Sequence, residues 1–242
     1  MKRFILFFAA IAIACAGYAQ EQRTISETVQ DVIMTRRSIR KYKPTPVGRD
    51  TLELILQAGI NAPNGMNKQS WEVRVVDNPI TVQSFKDAIT QANPGNKMAG
   101  GCFRGAPVLV FIANDSAYDC SPIDCGLLAE NMILYAWSMG IGSVCLGSPV
   151  RFIESPENSD CKAIRDVREK LGFSEGYNMI ICIGFGYPDE TPKAKPSDKS
   201  QYVFLDSASA RIGSDYQHSE SAAITPLQIR SDKKWQNSAG TL

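Results

Sequence analysis

A run of basic residues offers the clearest chemistry in the sequence. Residues 35–42 read TRRSIRKY, in which Arg36, Arg37 and Arg40 carry guanidinium groups and Ser38 carries a hydroxyl. Guanidinium groups form paired hydrogen bonds with phosphate oxygens, so these side chains could hold a phosphate monoester from several sides. A structural interpretation competes, because cations at a helix end offset the negative end of its dipole. Taken alone, this segment favours the structural interpretation.

A loop rich in side-chain amides follows at residues 62–71, APNGMNKQSW. Asn64, Asn67 and Gln69 present hydrogen-bond donors and acceptors, and Gly65 allows backbone to approach a flat ligand closely. This combination suits the edge of a heteroaromatic ring that carries both carbonyls and ring nitrogens. An Asx-rich turn that caps the preceding helix explains the loop equally well when the loop is considered alone.

Histidine is nearly absent from the chain. The single histidine, His218, lies in a polar stretch, which argues against a Ser-His-Asp triad, a Cys-His pair and a histidine metal site. The charges nearly balance, with 26 Lys and Arg against 25 Asp and Glu, so no overall field favours nucleic acid. We therefore expect no metal and no nucleic-acid partner, and we expect the chemistry to come from a bound cofactor.

The two polar segments together resemble the FMN-binding signature of the nitroreductase family. Its members carry Arg-Arg-Ser at the end of the first helix and then Ala-Pro-Ser-x-x-Asn-x-Gln-Pro-Trp before the first strand. This sequence has Arg-Arg-Ser at residues 36–38 and the loop at residues 62–71, in the same order. It departs from the family pattern at Asn64, Ser70 and Ser197, which replace Ser, Pro and a common Arg.

Two later segments extend the resemblance. Residues 140–147, GIGSVCLG, resemble the strand whose backbone lies near flavin N5, and Lys193 and Lys195 resemble late basic residues that return to the phosphate. The resemblance implies an FMN-binding site without a dedicated catalytic acid or base. The residues implied to bind FMN are Arg36, Arg37, Ser38, Arg40, Asn64, Gly65, Asn67, Gln69, Leu146, Gly147, Lys193 and Lys195.

The activity implied by the resemblance is that of an FMN-dependent oxidoreductase. It would take hydride from a reduced donor, for which NAD(P)H is one candidate, and pass two electrons through flavin N5 to a nitroaromatic, quinone or similar small acceptor. The resemblance also implies a homodimer with the flavin at the interface. Three alternatives stay open: a reductive dehalogenase of the same fold, a flavin-cleaving enzyme of the same fold, and a flavin-binding protein without catalysis.

Helices and strands must interleave irregularly to position these residues. Apolar periodicity predicts helices at residues 26–37, 50–61, 79–91, 121–139 and 159–171, and strands at 71–75, 107–113, 143–146 and 179–185. Ser26 and Ser121 are predicted N-caps. The helix at 121–139 is apolar nearly all round, which predicts burial within the domain or between subunits. Residues 93–105 are predicted to form a mobile loop that covers the pocket.

This order of elements predicts an α+β fold with a mixed, largely antiparallel central sheet and helices on both faces. Together with the family resemblance, it predicts a three-layer sandwich. The predicted organisation is a signal peptide at 1–19, an FMN-binding domain at 20–206 and a polar tail at 207–242, disordered or loosely docked. Six cysteines follow the leader, and we expect none of them to pair.

The first residues have the pattern of an export leader. Lys2 and Arg3 precede an apolar run at residues 4–13 that is too short to span a bilayer, and small residues precede a cut after Ala19. We therefore expect a periplasmic or secreted protein without an integral membrane segment. Lipid attachment at Cys15 is a less favoured alternative.

Overall fold

The computed structural model describes residues 24–202. Residues 35–195 form one compact unit, and the described segments 24–34 and 196–202 belong to a second unit. The predicted domain at 20–206 therefore extends beyond the compact unit at both ends. The predicted leader, the predicted tail at 207–242 and His218 lie outside the described residues.

Helix α1 spans Ile25–Thr35, and Thr24 caps its N-terminus. The Glu27 N–H donates to Thr24 Oγ1 at 3.2 Å, and the Thr24 N–H donates to Glu27 Oε2 at 2.7 Å, which is a reciprocal capping box. The predicted N-cap at Ser26 is therefore wrong. The prediction of a basic helix end is also wrong, because the helix stops at Thr35 and its last turn holds no basic residue.

Four strands form one antiparallel sheet in the order β1-β2-β4-β3. The strands are β1 (Trp71–Val76), β2 (Val108–Asp115), β3 (Gly142–Leu146) and β4 (Tyr177–Gly186), each within two residues of its predicted bounds. A single parallel bridge joins Ser38 to Ser143 beside β3, so the sheet is mixed there, as predicted. The predicted α+β class with a largely antiparallel sheet is confirmed.

Strand β2 is buried on both faces because alternate side chains enter two different cores. Val108, Val110 and Ile112 pack in one core with α2 (Arg49–Ile60) and α4 (Ser121–Ser138). Three more helices are α3 (Pro79–Ala92), α5 (Gly147–Glu154) and α6 (Lys162–Leu171). Leu109, Phe111 and Ala113 pack against them in the other core. The sheet is thus the middle of three layers, as the sequence predicts.

Helix α4 is not buried all round. Ile123, Leu127 and Tyr135 are exposed, while Leu128 and Met132 lie in the core against α2. Ser121 does not act as the predicted N-cap either. Its hydroxyl donates to the Ser70 carbonyl and accepts a hydrogen bond from the Asp115 N–H at 3.0 Å, and so it ties the helix start to the sheet.

Residues 93–105 lack regular secondary structure, as predicted, but some of their side chains are buried. Ala99, Cys102 and Phe103 are buried, and the Phe103 ring meets the Phe111 ring edge-on with 6.5 Å between centroids. These contacts anchor part of the segment, and the mobility of the loop and its place over the pocket stay predictions. Helix α5 was not predicted at all, and α6 begins three residues after its predicted start, following a short 3₁₀ turn at Pro156–Asn158.

Candidate functional site

The basic segment at residues 36–42 runs along the free edge of β3. The Ile39 N–H donates to the Ser143 carbonyl at 2.9 Å, next to the parallel bridge between Ser38 and Ser143. This approach requires glycine at position 142, because a Cβ there would lie 2.6 Å from Ile39 Cγ1. The sheet edge therefore fixes the backbone that carries the predicted phosphate-binding residues.

A second attachment holds the other end of the segment. The Lys43 N–H donates to the Tyr187 carbonyl at 2.9 Å, and Tyr42 forms an antiparallel bridge with Pro188. The Tyr42 hydroxyl donates to the Ile39 carbonyl at 2.7 Å, and burial, with Glu190 nearby, raises the pKa of Tyr42, so this donor stays protonated. The basic segment thus lies beside the chain that follows β4 and leads to Lys193 and Lys195, which are both exposed.

The Nε–H group of Arg36 donates no hydrogen bond within the described part of the chain. Its Nε atom is buried and has no hydrogen-bond partner, and the closest carboxylate oxygen, Glu130 Oε1, is 3.8 Å away. Arg37 donates to the Arg36 carbonyl at 2.6 Å, and Arg40 donates to the Ser38 carbonyl at 3.2 Å, so these guanidinium groups fold back along the segment. The Arg36 Nε atom forms a long ion pair with Glu130, beyond hydrogen-bond distance, so this donor is still open to a closer acceptor such as an anionic group.

The end of β3 runs directly into helix α5. Leu146 is the buried N-cap residue, and its side chain accepts no hydrogen bond from the helix, so the first N–H groups of α5 lack a side-chain acceptor. Gly147 is exposed, and a Cβ there would meet nothing within 4 Å. Gly147 therefore borders open space at the start of α5, four residues after Ser143, the β3 residue that the basic segment pairs with.

The Cys145 thiol on β3 interacts electrostatically with Arg36 of the basic segment. Protein packed around its thiol raises its pKa, Glu130 raises the pKa further, and Arg36 opposes the rise. Cys145, Glu130 and Arg36 are thus close enough to interact, although β3, α4 and the basic segment are separate elements. Sequence reasoning had not assigned Glu130 or Cys145 to the site, since neither stands in a recognisable motif.

The amide-rich loop is held at the start of α4. The Gly65 N–H lies 3.2 Å from both carboxylate oxygens of Asp124, whose residue is only 3% exposed. The Gln69 N–H donates to Asn64 Oδ1 at 2.9 Å. Left-handed backbone occurs in this short stretch at Met66, Asn67 and Gln69, with φ of 53°, 54° and 48°. Such conformations are strained in non-glycine residues and are concentrated at functional sites.

Gly65 packs against the Tyr118 side chain. A Cβ at this position would lie 2.0 Å from the Tyr118 hydroxyl, so the close approach that Gly65 permits is made by Tyr118. The Lys68 ammonium lies over the same ring, 4.1 Å from its centroid. Tyr118 and Asp124 therefore shape the loop, and sequence reasoning missed both roles because they depend on long-range contacts.

The structure does not bring the two predicted halves of the site together within one chain. The amide loop enters β1 and the basic segment borders β3, which are opposite edges of the sheet, three strand spacings or about 14 Å apart. The amide loop and the basic segment also contact α4 at different positions along its length. The loop contacts Asp124, whereas Arg36 lies near Glu130 and Thr35 accepts a hydrogen bond from Trp137 Nε1.

Residues 24–202 contain neither a metal-binding cluster of side chains nor a membrane-spanning helix. No group of three or more His, Cys, Asp or Glu side chains there is arranged to hold a metal ion. No helix in that range is both long and apolar enough to cross a membrane. All six cysteines of the range carry free thiols.

Known proteins share this fold and this order of segments. The model of the Nitroreductase family matches residues 33–187. A nitroreductase with bound FMN from Desulfitobacterium hafniense has a TM-score of 0.65 and 27% identity, and the match covers 74% of this chain and 98% of that one. One from Bacteroides fragilis, also with bound FMN, has a TM-score of 0.64 with the same identity and coverage.

Sequence comparison gives the same grouping. The NADPH-flavin oxidoreductase of Vibrio harveyi is 29% identical over 182 residues, which are 69% of this chain and 68% of the relative. The α+β sandwich described above is thus the fold of a known class of oxidoreductases. The family match spans more than half of the residues, and this chain belongs to the nitroreductase family. The predicted family, fold and enzyme class are confirmed.

Proposed function

We propose that this protein is an FMN-dependent oxidoreductase whose basic segment, residues 36–40, binds the flavin phosphate. The observation that carries the proposal is the buried Arg36 Nε without a hydrogen-bond partner, on a segment fixed to the edge of β3. A phosphate oxygen is the acceptor that this donor lacks. The FMN bound in the two neighbouring nitroreductase structures supports the same cofactor.

The residues divide into two roles under this proposal. Arg36, Arg37, Ser38, Arg40, Lys193 and Lys195 hold the phosphate, while Asn64, Asn67, Gln69, Leu146 and Gly147 border the ring. Gly65 supports the ring loop through Asp124 and Tyr118. When bound, FMN supplies two-electron chemistry by accepting hydride at N5 and passing it on. The protein orients donor and acceptor over the ring, and no side chain of this set is required as an acid or base.

The proposed substrates follow from the relatives and from the chemistry of the cofactor. NAD(P)H is the proposed donor, supported by the NADPH-flavin oxidoreductase among the relatives, and a nitroaromatic or a quinone is the proposed acceptor. The test is an anaerobic titration of the FMN-loaded protein. NADH or NADPH should bleach the flavin bands, and a quinone or nitroaromatic should restore them. An FMN-loaded protein that no nicotinamide donor bleaches would contradict the donor assignment.

We also propose a homodimer in which each site combines the basic segment of one subunit with the amide loop of the other. The placement of these segments at opposite edges of one sheet supports this arrangement. Exposed apolar side chains on α4, Ile123 and Leu127, provide a surface that a second subunit would cover.

Subunit mixing tests the proposed dimer directly. Arg36→Ala damages the basic segment, and Gln69→Ala together with Asn67→Ala damages the amide loop. Two subunits that each carry one kind of damage would form one intact site and one doubly damaged site. Co-expression should therefore restore FMN binding that neither variant has alone. Sites built within single subunits would give no recovery on mixing.

We also propose that the protein is exported after cleavage of its leader, which bears on the identity of the electron donor. Nicotinamide donors are cytoplasmic, so the proposed NAD(P)H donor and the proposed export compete: an exported enzyme would need a different physiological reductant, even if NAD(P)H reduces its flavin in the titration. Mass spectrometry of the protein purified from its native compartment should find Gln20 as the first residue if the leader is cleaved after Ala19. An intact Met1 in that material would contradict export by cleavage.

A further inference from the structure

The Glu190 carboxylate occupies an unusual position among the cations of the site. It follows β4 by four residues and lies three residues before Lys193. A single oxygen, Oε1, accepts hydrogen bonds from the Arg40 N–H and, at 3.2 Å, from the Lys41 N–H. The acidic side chain thus binds the backbone of the basic segment and not its guanidinium groups.

A carboxylate beside a phosphate site would weaken anion binding through charge repulsion unless it had a compensating role. Here the compensating role is geometric. Glu190 joins residues 40–41 to the chain after β4, next to the hydrogen bond from the Asp189 N–H to the Lys41 carbonyl at 3.0 Å. Three residues of extended chain span at most about 11 Å, so this junction keeps Lys193 within about that distance of Glu190, beside residues 40–41.

We propose that Glu190 is a positioning residue that fixes the Arg40 backbone and the segment with Lys193 and Lys195 in one phosphate site. It contacts neither the phosphate nor the ring. The inference rests on the proposed FMN-binding function and adds a residue that the binding signature does not contain.

The test compares three variants of the full-length protein. Glu190→Ala removes the shared acceptor, and Glu190→Gln keeps an Oε1 acceptor without the charge. Glu175→Ala removes an exposed carboxylate that makes no hydrogen bond or ion pair among residues 24–202. Glu190→Ala should weaken FMN binding about tenfold, because it leaves the Arg40 and Lys41 N–H groups without the acceptor that they share. Glu190→Gln should bind FMN as well as the wild type or slightly better, and Glu175→Ala should bind unchanged.

Two further readouts separate positioning from a general loss of structure. Riboflavin lacks the phosphate, so Glu190→Ala should leave its affinity unchanged. Amide hydrogen exchange in the apoprotein should accelerate at Arg40 and Lys41 in Glu190→Ala and return to the wild-type rate in Glu190→Gln. This second readout requires no flavin.

The outcomes distinguish the two proposals. A wild-type protein that fails to bind FMN overturns the proposed function, whatever Glu190 does. If the wild type binds FMN, equal FMN affinity in Glu190→Ala and unchanged exchange at residues 40 and 41 overturn the positioning role. An equal loss of FMN and riboflavin binding in Glu190→Ala, without recovery in Glu190→Gln, also overturns it.

Discussion

The Ser70 hydroxyl leads to an unusual stability prediction. Ser70 is 4% exposed, and its Oγ atom has no hydrogen-bond partner, although its carbonyl accepts from Ser121 Oγ and from the Asp115 N–H. Replacing Ser70 by alanine removes the unpaired group and keeps both carbonyl contacts. We expect Ser70→Ala to stabilise the protein.

The magnitude follows from two opposing effects. An unsatisfied buried hydroxyl costs about 1–3 kcal/mol, while the small void left by one missing oxygen costs roughly 1 kcal/mol or less. The net gain is about 1 kcal/mol, which for a chain of this size corresponds to a rise in Tm of about 2–4 °C. Flavin binding should not change, because the family signature carries proline, without a hydroxyl, at this position.

The matched control is the neighbouring Ser121→Ala. The Ser121 hydroxyl makes two hydrogen bonds, so its removal should destabilise the protein by about 1 kcal/mol. Urea unfolding of the two variants against the wild type measures both changes in free energy. Equal destabilisation by Ser70→Ala and Ser121→Ala would refute the reasoning, since it would mean that the Ser70 hydroxyl is paired.

Two other perturbations test contacts around the sheet. Gly65→Ala should destabilise the protein by about 1–3 kcal/mol because its Cβ would collide with the Tyr118 hydroxyl, and Tyr118→Phe should relieve part of that loss in a double-mutant cycle. Hydrogen bonds from Arg49 lower the pKa of Asp77, so the pair stabilises the fold above the unfolded-state pKa, and that contribution is lost as pH falls. On acidification the free energy of unfolding should therefore fall less for Asp77→Asn than for the wild type. Parallel plots of that free energy against pH for the two proteins would contradict this.

The regular elements were predictable because their signals are local. The apolar run that forms β2 and the helical spacing that forms α2 are both visible in short windows of sequence. Helix α5 was missed because its eight residues, GSPVRFIE, follow β3 without a turn and include a glycine and a proline. The end of α1 was misplaced because Ser38 and Ile39 pair with the sheet edge at Ser143. That partner lies about a hundred residues later in the sequence.

The candidate site shows the same division between local and long-range signals. Arg36 and Asn64 were identified because each stands in a short motif. Their supporting residues were not, since Asp124 meets Gly65 from 59 residues away and Glu190 meets Arg40 from 150 residues away. No periodicity or spacing encodes such pairs, and only the assembled sheet brings them together.

Comparison of FMN with riboflavin tests the phosphate assignment most directly. Both ligands carry the same ring, so their difference in affinity reports the phosphate alone. The wild type should bind FMN much more tightly than riboflavin. Arg36→Ala should lose about tenfold or more of FMN affinity while riboflavin affinity is unchanged. The control is Arg165→Ala on α6. The Arg165 guanidinium donates to the Asp160 carbonyl, and the variant should bind both ligands as the wild type does. Equal affinities for FMN and riboflavin in the wild type, or unchanged FMN binding in Arg36→Ala, would contradict a phosphate site at residues 36–40.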